Sequence, residues 1–308
     1  MNKTLKYGWV EPVRNTEENK DGEKVPLMKT GQGYKKEEVF DCLPRHPRYR
    51  YEDLILPDDI LHELDVLQNM IQFHSVVYRE WGMENIDPYG GQIAFNLFGP
   101  PGTGKTMIVE ALCNRWNKEL IDVNLSDLES KYVGETGKNI VKAFDAAKQN
   151  DAVLFFDEAD AVLGRRLTNV TQSSDNAVNA ARGVMLKQLE QHSGIVAFAT
   201  NCAKNYDSAF VRRILKHIHI PLPDSSSREK LWRSKIPVKV PGYEDMDFVE
   251  LARQSEGLSG GEILVATKNA LFDAVGAKER RLTFPLLLKA VANVNEAKKE
   301  IGSLPCLM

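Results

Sequence analysis

The sequence lacks several features by which other classes of protein are recognised. Its 308 residues contain no apolar run long enough to span a bilayer. Residues 1–24 are too polar for a secretory signal peptide, so we expect a cytoplasmic protein. The four cysteines lie far apart and form no C-x-x-C pair. This spacing favours reduced structural thiols over a disulfide framework.

Charge of one sign is also lacking, because the formal net charge is only −3. A chain this close to neutral gives no general electrostatic reason to bind nucleic acid or an anionic membrane. The sequence contains neither an H-E-x-x-H zinc motif nor a G-x-S-x-G nucleophile elbow, so we do not expect a protease. The hydrophobic fraction of 43% is that of an ordinary globular protein, which at this length forms one large or two modest domains.

One stretch supplies a complete phosphate-binding motif, G-x-x-x-x-G-K-[ST]. Its residues are Gly99, Pro100, Pro101, Gly102, Thr103, Gly104, Lys105 and Thr106. A buried strand predicted over 93–98 leads into the motif and a helix predicted over 107–116 leads out, which is the setting of a true phosphate loop. The glycines let backbone N–H groups converge on a phosphate. The Lys105 amine can reach the outer phosphates, and the Thr106 hydroxyl can hold a magnesium ion.

A second apolar run, over 152–156, ends in the two carboxylates Asp157 and Glu158. Such a run is typical of a parallel strand covered on both faces, and open α/β sheets bind ligands at the carboxyl ends of their strands. Roughly fifty residues beyond a phosphate loop, Asp157 is predicted to hold magnesium and Glu158 to polarise the attacking water. Asn201, which ends another predicted strand, either forms a turn or orients that water. Its place beside the carboxylates favours the second role.

Three further features allow more than one interpretation. The segment 131–138 places an aromatic residue beside a glycine between charges, which by itself indicates a surface tyrosine on an exposed loop. The polar residues 1–48 form either a disordered tail or a docking arm for a partner. His217 and His219 would share a strand face, but no third ligand lies nearby, so we do not predict a zinc site.

The order of the predicted elements gives the domain organisation. Five predicted strands alternate with helices up to residue 222, and four predicted helices follow. We therefore predict an α/β fold with a five-stranded parallel sheet flanked by helices over 50–222. A small helical lid domain over 223–308 is expected to follow it, and an arm over 1–49 to precede it. Within the lid, Ser259 and Glu262 have the spacing of a capping box that opens a helix.

Taken together, these motifs resemble those of the AAA+ ATPases over roughly residues 50–300. Gly99 to Thr106 resembles Walker A, and Phe155 to Glu158 resembles Walker B. Asn201 lies where the family has its sensor 1 residue. Gly257 to Glu262 resembles the sensor 2 segment of the lid, without the arginine that some members carry there.

The resemblance implies an ATP- and Mg²⁺-dependent ring, a hexamer, that acts on a protein client. Arg212 and Arg213 match the arginine fingers, which reach the γ-phosphate bound in the next subunit, so neither is expected to need a partner within its own subunit. Lys131, Tyr132 and Val133 resemble pore loop 1, which threads a substrate polypeptide. This context overturns the interpretation of Tyr132 as an ordinary surface residue.

A narrower resemblance concerns the AAA+ remodellers of HORMA-domain proteins, of the pachytene-checkpoint type. It rests on Glu135 to Lys138 and on Tyr206 to Val211, while Gly261 departs from the lid arginine of the eukaryotic members. Bacterial relatives are associated with cyclic-oligonucleotide antiphage defence, where they act on HORMA regulators of a nucleotide second-messenger synthase. The resemblance thus predicts a ring-forming remodeller or unfoldase. A nucleic-acid-linked loader and a nucleotide-dependent assembly switch are the alternatives.

Overall fold

The chain divides into two compact units, residues 1–39 and 40–308. The computed structural model describes residues 16–18, 24–26, 42–88, 92–124, 135–164, 173–201 and 206–303. In the first unit β1 (Thr16–Glu18) pairs antiparallel with β2 (Lys24–Pro26). The sequence pattern did not predict this pair, because strands of three residues are too short to establish a period.

A five-stranded sheet forms the centre of the second unit. Its strands are β3 (Ile93–Phe98), β4 (Leu120–Asn124), β5 (Val153–Asp157), β6 (Ile195–Thr200) and β7 (Lys216–His219). They lie in the order β4-β5-β6-β3-β7, and every neighbouring pair is parallel. The predicted α/β fold class is therefore confirmed. Because β3, β5 and β6 are buried on both faces, their sequences are apolar except for Asn96 in β3 and for Asp157 and Thr200 at the ends of β5 and β6.

Helices flank the sheet and form the C-terminal region. They are α1 (Asp58–Gln72), α2 (Lys105–Arg115), α3 (Glu135–Gln149), α4 (Asp160–Leu163), α5 (Ser173–Gln191), α6 (Ser208–Val211), α7 (Ser225–Lys235), α8 (Phe248–Gln254), α9 (Gly260–Gly276) and α10 (Phe284–Ser303). A π-helical segment, Val76–Glu80, follows α1. No helix in the described part of the chain has the length and apolar character needed to cross a membrane.

The start of α5 differs from what the composition of the sequence favours. The polar residues 164–177 indicate a mobile loop, yet α5 begins at Ser173. Serine, aspartate and asparagine are common both in loops and at the first turn of a helix, so composition alone does not separate the two.

Three apolar clusters hold these elements together. Two of the clusters lie on opposite faces of the sheet. Phe155 of β5 packs in one of these two and Phe156 in the other, because neighbouring side chains of a strand point to opposite faces. The third cluster lies among α7 to α10 and is centred on the fully buried Trp232. The Trp232 indole donates to Ser255 Oγ at 2.9 Å, so its one polar atom is satisfied. The C-terminal helical region therefore has a core of its own.

His192 makes the stability of the protein dependent on pH. The ring is only 5% exposed and packs edge-on against Phe144. Burial lowers the pKa of His192 to about 4, with Lys148 lowering it further and Asp145 opposing. An unfolded histidine has a pKa of about 6.5, so protonation favours the unfolded chain as the pH falls below that value. The effect reaches its full size below about pH 4.

We expect His192→Phe to remove this acid sensitivity. The difference between the two pKa values corresponds to about 3 kcal/mol of unfolding free energy. Between pH 7 and pH 4, the variant should therefore gain about that amount relative to the parent protein. Urea unfolding at both pH values measures this gain, with the same replacement of the exposed His62 as the control. A parallel loss of stability in both proteins would contradict the prediction.

Candidate nucleotide-binding site

The segment Gly99 to Thr106 connects β3 to α2 in a conformation that requires glycine. Gly99 has φ +152°, and a Cβ atom there would lie 2.1 Å from the Ile220 carbonyl oxygen. Gly104 has φ +93° and lies immediately before the first residue of α2. The loop thus turns the N-terminus of α2 toward the end of the sheet, where its free N–H groups favour an anion.

Lys105 is buried at the base of this loop. Its Nζ donates hydrogen bonds to the carbonyl oxygens of Gly99 at 2.8 Å and Pro100 at 2.9 Å. Burial lowers the pKa of Lys105, against the raising effect of Asp157 and Asp160. The ammonium is held by neutral carbonyl groups, so it remains able to neutralise a bound phosphate.

Thr106 and Asp157 join the loop to the end of β5. The Thr106 hydroxyl donates to Asp157 Oδ2 at 2.8 Å, and the backbone N–H of Glu158 donates to Asp157 Oδ1 at 2.8 Å. A hydroxyl and a carboxylate side by side are oxygen ligands of the kind that Mg²⁺ prefers. The geometry therefore suits a magnesium ion carried by a nucleotide.

Glu158 has an unusual backbone conformation. Its φ of +51° lies in the left-handed region, and its side chain is exposed. A residue with a β-carbon costs on the order of 1 kcal/mol in this region, and such strain is concentrated at functional sites. The observed conformation therefore supports a functional role for this carboxylate.

Asp160, which the sequence analysis did not single out, connects the ends of two neighbouring strands. Its carboxylate accepts hydrogen bonds from the Thr200 hydroxyl and, at 3.4 Å, from the Asn201 backbone N–H. Asn201 is thereby held next to the segment that carries Glu158. The sequence does show Asp160 as a third carboxylate within four residues. Its partner Thr200, however, lies 40 residues away along the chain, so the contact could not be predicted from that pattern.

A cavity of about 570 Å³ brings most of the predicted residues together. Residues 101–106, Asp157, Glu158 and Asn201 line it. This volume lies within the usual range for a small-molecule site. Other residues that line the cavity were not predicted from the sequence, among them Leu54 to Leu56 before α1 and Leu264 in α9. The short apolar segment before Pro57 was visible in the sequence, but its place in the cavity depends on the fold.

The C-terminal helices contact the phosphate loop directly. The Gly261 backbone N–H donates to the Gly102 carbonyl at 2.9 Å, and a Cβ atom at Gly261 would lie 3.3 Å from Gly102 Cα. The predicted capping box is confirmed, because Ser259 and Glu262 exchange side-chain-to-backbone hydrogen bonds at the start of α9. This close approach of two backbones explains the small residue at position 261.

The two arginines differ in their surroundings. Arg212 is exposed at the end of α6, and we find no ion pair for it within the described residues. Arg213 forms an ion pair with Glu190 and donates to the Ala209 carbonyl at 2.9 Å. Neither arginine was expected to need a partner in its own subunit, yet Arg213 has one. Glu190 lies 23 residues upstream on α5, so no local sequence pattern indicated the pairing.

Neither arginine lines the cavity, so the structure does not bring them together with the phosphate loop of the same chain. Lys131, Tyr132 and Val133 lie outside the described residues.

The family model "ATPase family associated with various cellular activities (AAA)" matches residues 95–222. The matched region runs from β3 to just beyond β7 and includes the phosphate loop, both carboxylates and both arginines. The chain carries a domain of the AAA ATPase family. The presence of this AAA domain indicates ATPase activity.

Curated relatives extend the similarity of the AAA domain. The chain is 34% identical to vacuolar protein sorting-associated protein 4B of Mus musculus over 189 residues, 58% of this chain and 41% of that protein. It is 31% identical to Protein SUPPRESSOR OF K(+) TRANSPORT GROWTH DEFECT 1 of Arabidopsis thaliana over 62% of this chain and 45% of that protein. It is 30% identical to the proteasome-activating nucleotidase of Archaeoglobus fulgidus over 85% of this chain and 66% of that protein. The chain therefore spans less than half the length of the first two relatives.

Proposed function

We propose that the AAA domain binds ATP with Mg²⁺ and hydrolyses it to ADP and phosphate. The observation that carries this proposal is the single cavity that joins residues 101–106 to Asp157 and Glu158. Lys105 and the backbone N–H groups of the loop bind the phosphates. Thr106 and Asp157 hold the magnesium ion, which when bound neutralises charge on the phosphate oxygens.

Two polar residues act on the water that attacks the γ-phosphate, and a third holds one of them in place. Glu158 polarises the water and accepts its proton. Its left-handed backbone conformation sets the direction in which the side chain leaves the main chain. Asn201 orients the same water from the neighbouring strand. Asp160 holds Asn201 in place through the backbone N–H. The role of Asp160 is thus to position another residue.

Completion of the site requires a second copy of the chain. Arg212 is exposed and lies outside the cavity of its own subunit, which suits a residue that reaches the γ-phosphate of a neighbour. Arg213 is held by Glu190, so we assign the finger to Arg212 and a supporting role to Arg213. This arrangement makes hydrolysis depend on assembly into a ring, for which we propose six subunits.

We further propose that the ring remodels a protein client. Two observations support this: the resemblance of Lys131 to Val133 to a pore loop, and the similarity to a nucleotidase whose name states that it activates the proteasome. The net charge of −3 supports a protein client over nucleic acid. A HORMA-domain protein in antiphage signalling is the narrower proposal, and it rests on the sequence resemblance alone.

The client can be trapped with Glu158→Gln, which we expect to bind ATP without hydrolysing it. With ATP and Mg²⁺, affinity capture of this variant should recover a protein that the parent chain releases. Adding Tyr132→Ala should abolish the capture if the pore loop grips the client. Addition of Phe272→Ala, at an exposed aromatic residue outside the cavity lining, serves as the control. A HORMA-domain client supports the narrow proposal, and another protein supports only the remodeller. Recovery of nucleic acid alone, with salt-sensitive binding, would reject the remodeller in favour of a loader.

A further inference from the structure

A buried polar side chain interrupts the apolar strand that leads into the phosphate loop. Asn96 lies in β3 and is fully buried between Phe95 and Leu97. A buried amide lowers stability unless it is hydrogen-bonded, so an asparagine here calls for an explanation. Its Nδ2 donates to the hydroxyl of Tyr206 at 2.8 Å, across 110 residues of sequence. Asn96 thus provides a specific anchor for the Tyr206 side chain.

The backbone of Tyr206 is fastened to a different part of the site. Tyr206 forms an isolated antiparallel bridge with Gly164, and the N–H of Asp207 donates to the Leu163 carbonyl at 2.8 Å. Leu163 ends α4, the short helix that begins two residues after Glu158. Tyr206 therefore touches two parts of the nucleotide site: the strand before the phosphate loop and the segment after the catalytic carboxylates.

His217 lies beside Tyr206 on the neighbouring strand. In the β3–β7 register it is directly opposite Asn96, and its ring centre is 6.1 Å from that of Tyr206. Burial lowers the pKa of His217 and favours its neutral form, against the raising effect of the Val211 backbone at the last residue of α6. Phe210, within α6, is buried in the apolar cluster that contains Phe198 of β6. The helix that precedes Arg212 is therefore held against the sheet by Tyr206 just before its start and by Phe210 near its end.

We propose that Tyr206 is a positioning residue for ATP hydrolysis. Its hydroxyl, held by Asn96, fixes α6 so that Arg212 is presented to the nucleotide of the neighbouring subunit. Tyr206 acts through Arg212 and does not touch the nucleotide. The inference rests on the proposed function, in which Arg212 acts on the nucleotide of a neighbouring subunit. It adds Tyr206 as the residue that orients Arg212. A side chain displaced by about 1 Å can cost up to a hundredfold in rate, so one hydrogen bond at this place matters.

The first test separates positioning from stability. Tyr206→Phe and Asn96→Leu each remove one partner of the hydrogen bond, and each should lower kcat about threefold to tenfold with the KM for ATP unchanged. The double variant leaves neither partner unsatisfied, so its stability should recover while its kcat stays low. Tyr51→Phe removes a comparable hydroxyl, bonded to Asp65 at 3.2 Å, and should leave kcat unchanged. A kcat that recovers together with stability in the double variant would overturn the proposal.

The second test asks in which subunit the defect acts. Subunits with Glu158→Gln cannot hydrolyse ATP but present a normal Arg212, so mixing them with Tyr206→Phe subunits should raise the rate per Tyr206→Phe subunit toward that of the parent protein. Arg212→Ala subunits mixed in the same way provide the reference. Rescue of Arg212→Ala without rescue of Tyr206→Phe would overturn this inference alone. Failure to rescue Arg212→Ala would overturn the proposed ring mechanism and this inference with it.

Discussion

Replacing Arg212 with alanine is expected to reduce the ATPase rate about a thousandfold while ATP binding remains intact. The expectation follows from the exposed position of the side chain outside the cavity of its own chain. Because it does not line the cavity, its removal leaves the contacts of the nucleotide with the same subunit in place. Phosphate release measures the rate, and the fluorescence of a labelled ATP analogue measures binding.

The neighbouring arginine supplies the internal comparison. Arg213→Ala breaks the ion pair with Glu190, and Glu190→Gln breaks the same pair from the other side. If Arg213 only supports the turn, both changes should lower the rate by similar and much smaller factors than Arg212→Ala. Arg233→Ala, at an exposed arginine paired with Glu229 in the C-terminal helices, should have little effect. A larger loss for Arg213→Ala than for Arg212→Ala would reverse the assignment.

The parts of this fold that the sequence predicted are those in which local pattern and burial agree. The strand predicted over 93–98 is β3 with the same bounds, because a strand covered on both faces is apolar at nearly every position, here at all but Asn96. The capping box of Ser259 and Glu262 was equally predictable, since both partners lie within one turn of helix. The cavity follows from the same logic, because the carboxyl ends of adjacent parallel strands meet at one edge of the sheet.

The parts that could not be predicted depend on residues far apart along the chain. Asp160 with Thr200, Arg213 with Glu190 and Asn96 with Tyr206 each join two elements whose adjacency is set by the strand order. The hydrophobic periodicity of a single helix or strand does not predict such pairs. Asn96 shows the point most clearly, because within its strand it looks like a polar exception to an apolar pattern. Only the fold shows that the exception has a partner near Arg212.

Replacing Glu158 with glutamine is expected to lower the hydrolysis rate between about a hundredfold and ten-thousandfold, the range in which a positioned general base contributes. The amide has nearly the same shape as the carboxylate but accepts a proton far less readily. The hydrogen bond from the Glu158 backbone N–H to Asp157 Oδ1 does not involve the Glu158 side chain, so the magnesium ligands should stay in place. Single-turnover hydrolysis measures the chemical step, and titration with the labelled ATP analogue should give an unchanged affinity.

Glu84→Gln, at an exposed glutamate outside the cavity lining, should leave both quantities unchanged. Asp157→Asn should act differently, because it removes a carboxylate from the magnesium ligands and so weakens the dependence of binding on Mg²⁺. Full hydrolysis by the Glu158→Gln variant would mean that the strained backbone at this residue serves another purpose. ATP-driven assembly of the parent protein without any turnover is a separate outcome, and it would favour the nucleotide-dependent switch, since a switch needs the cavity and the magnesium ligands but no base.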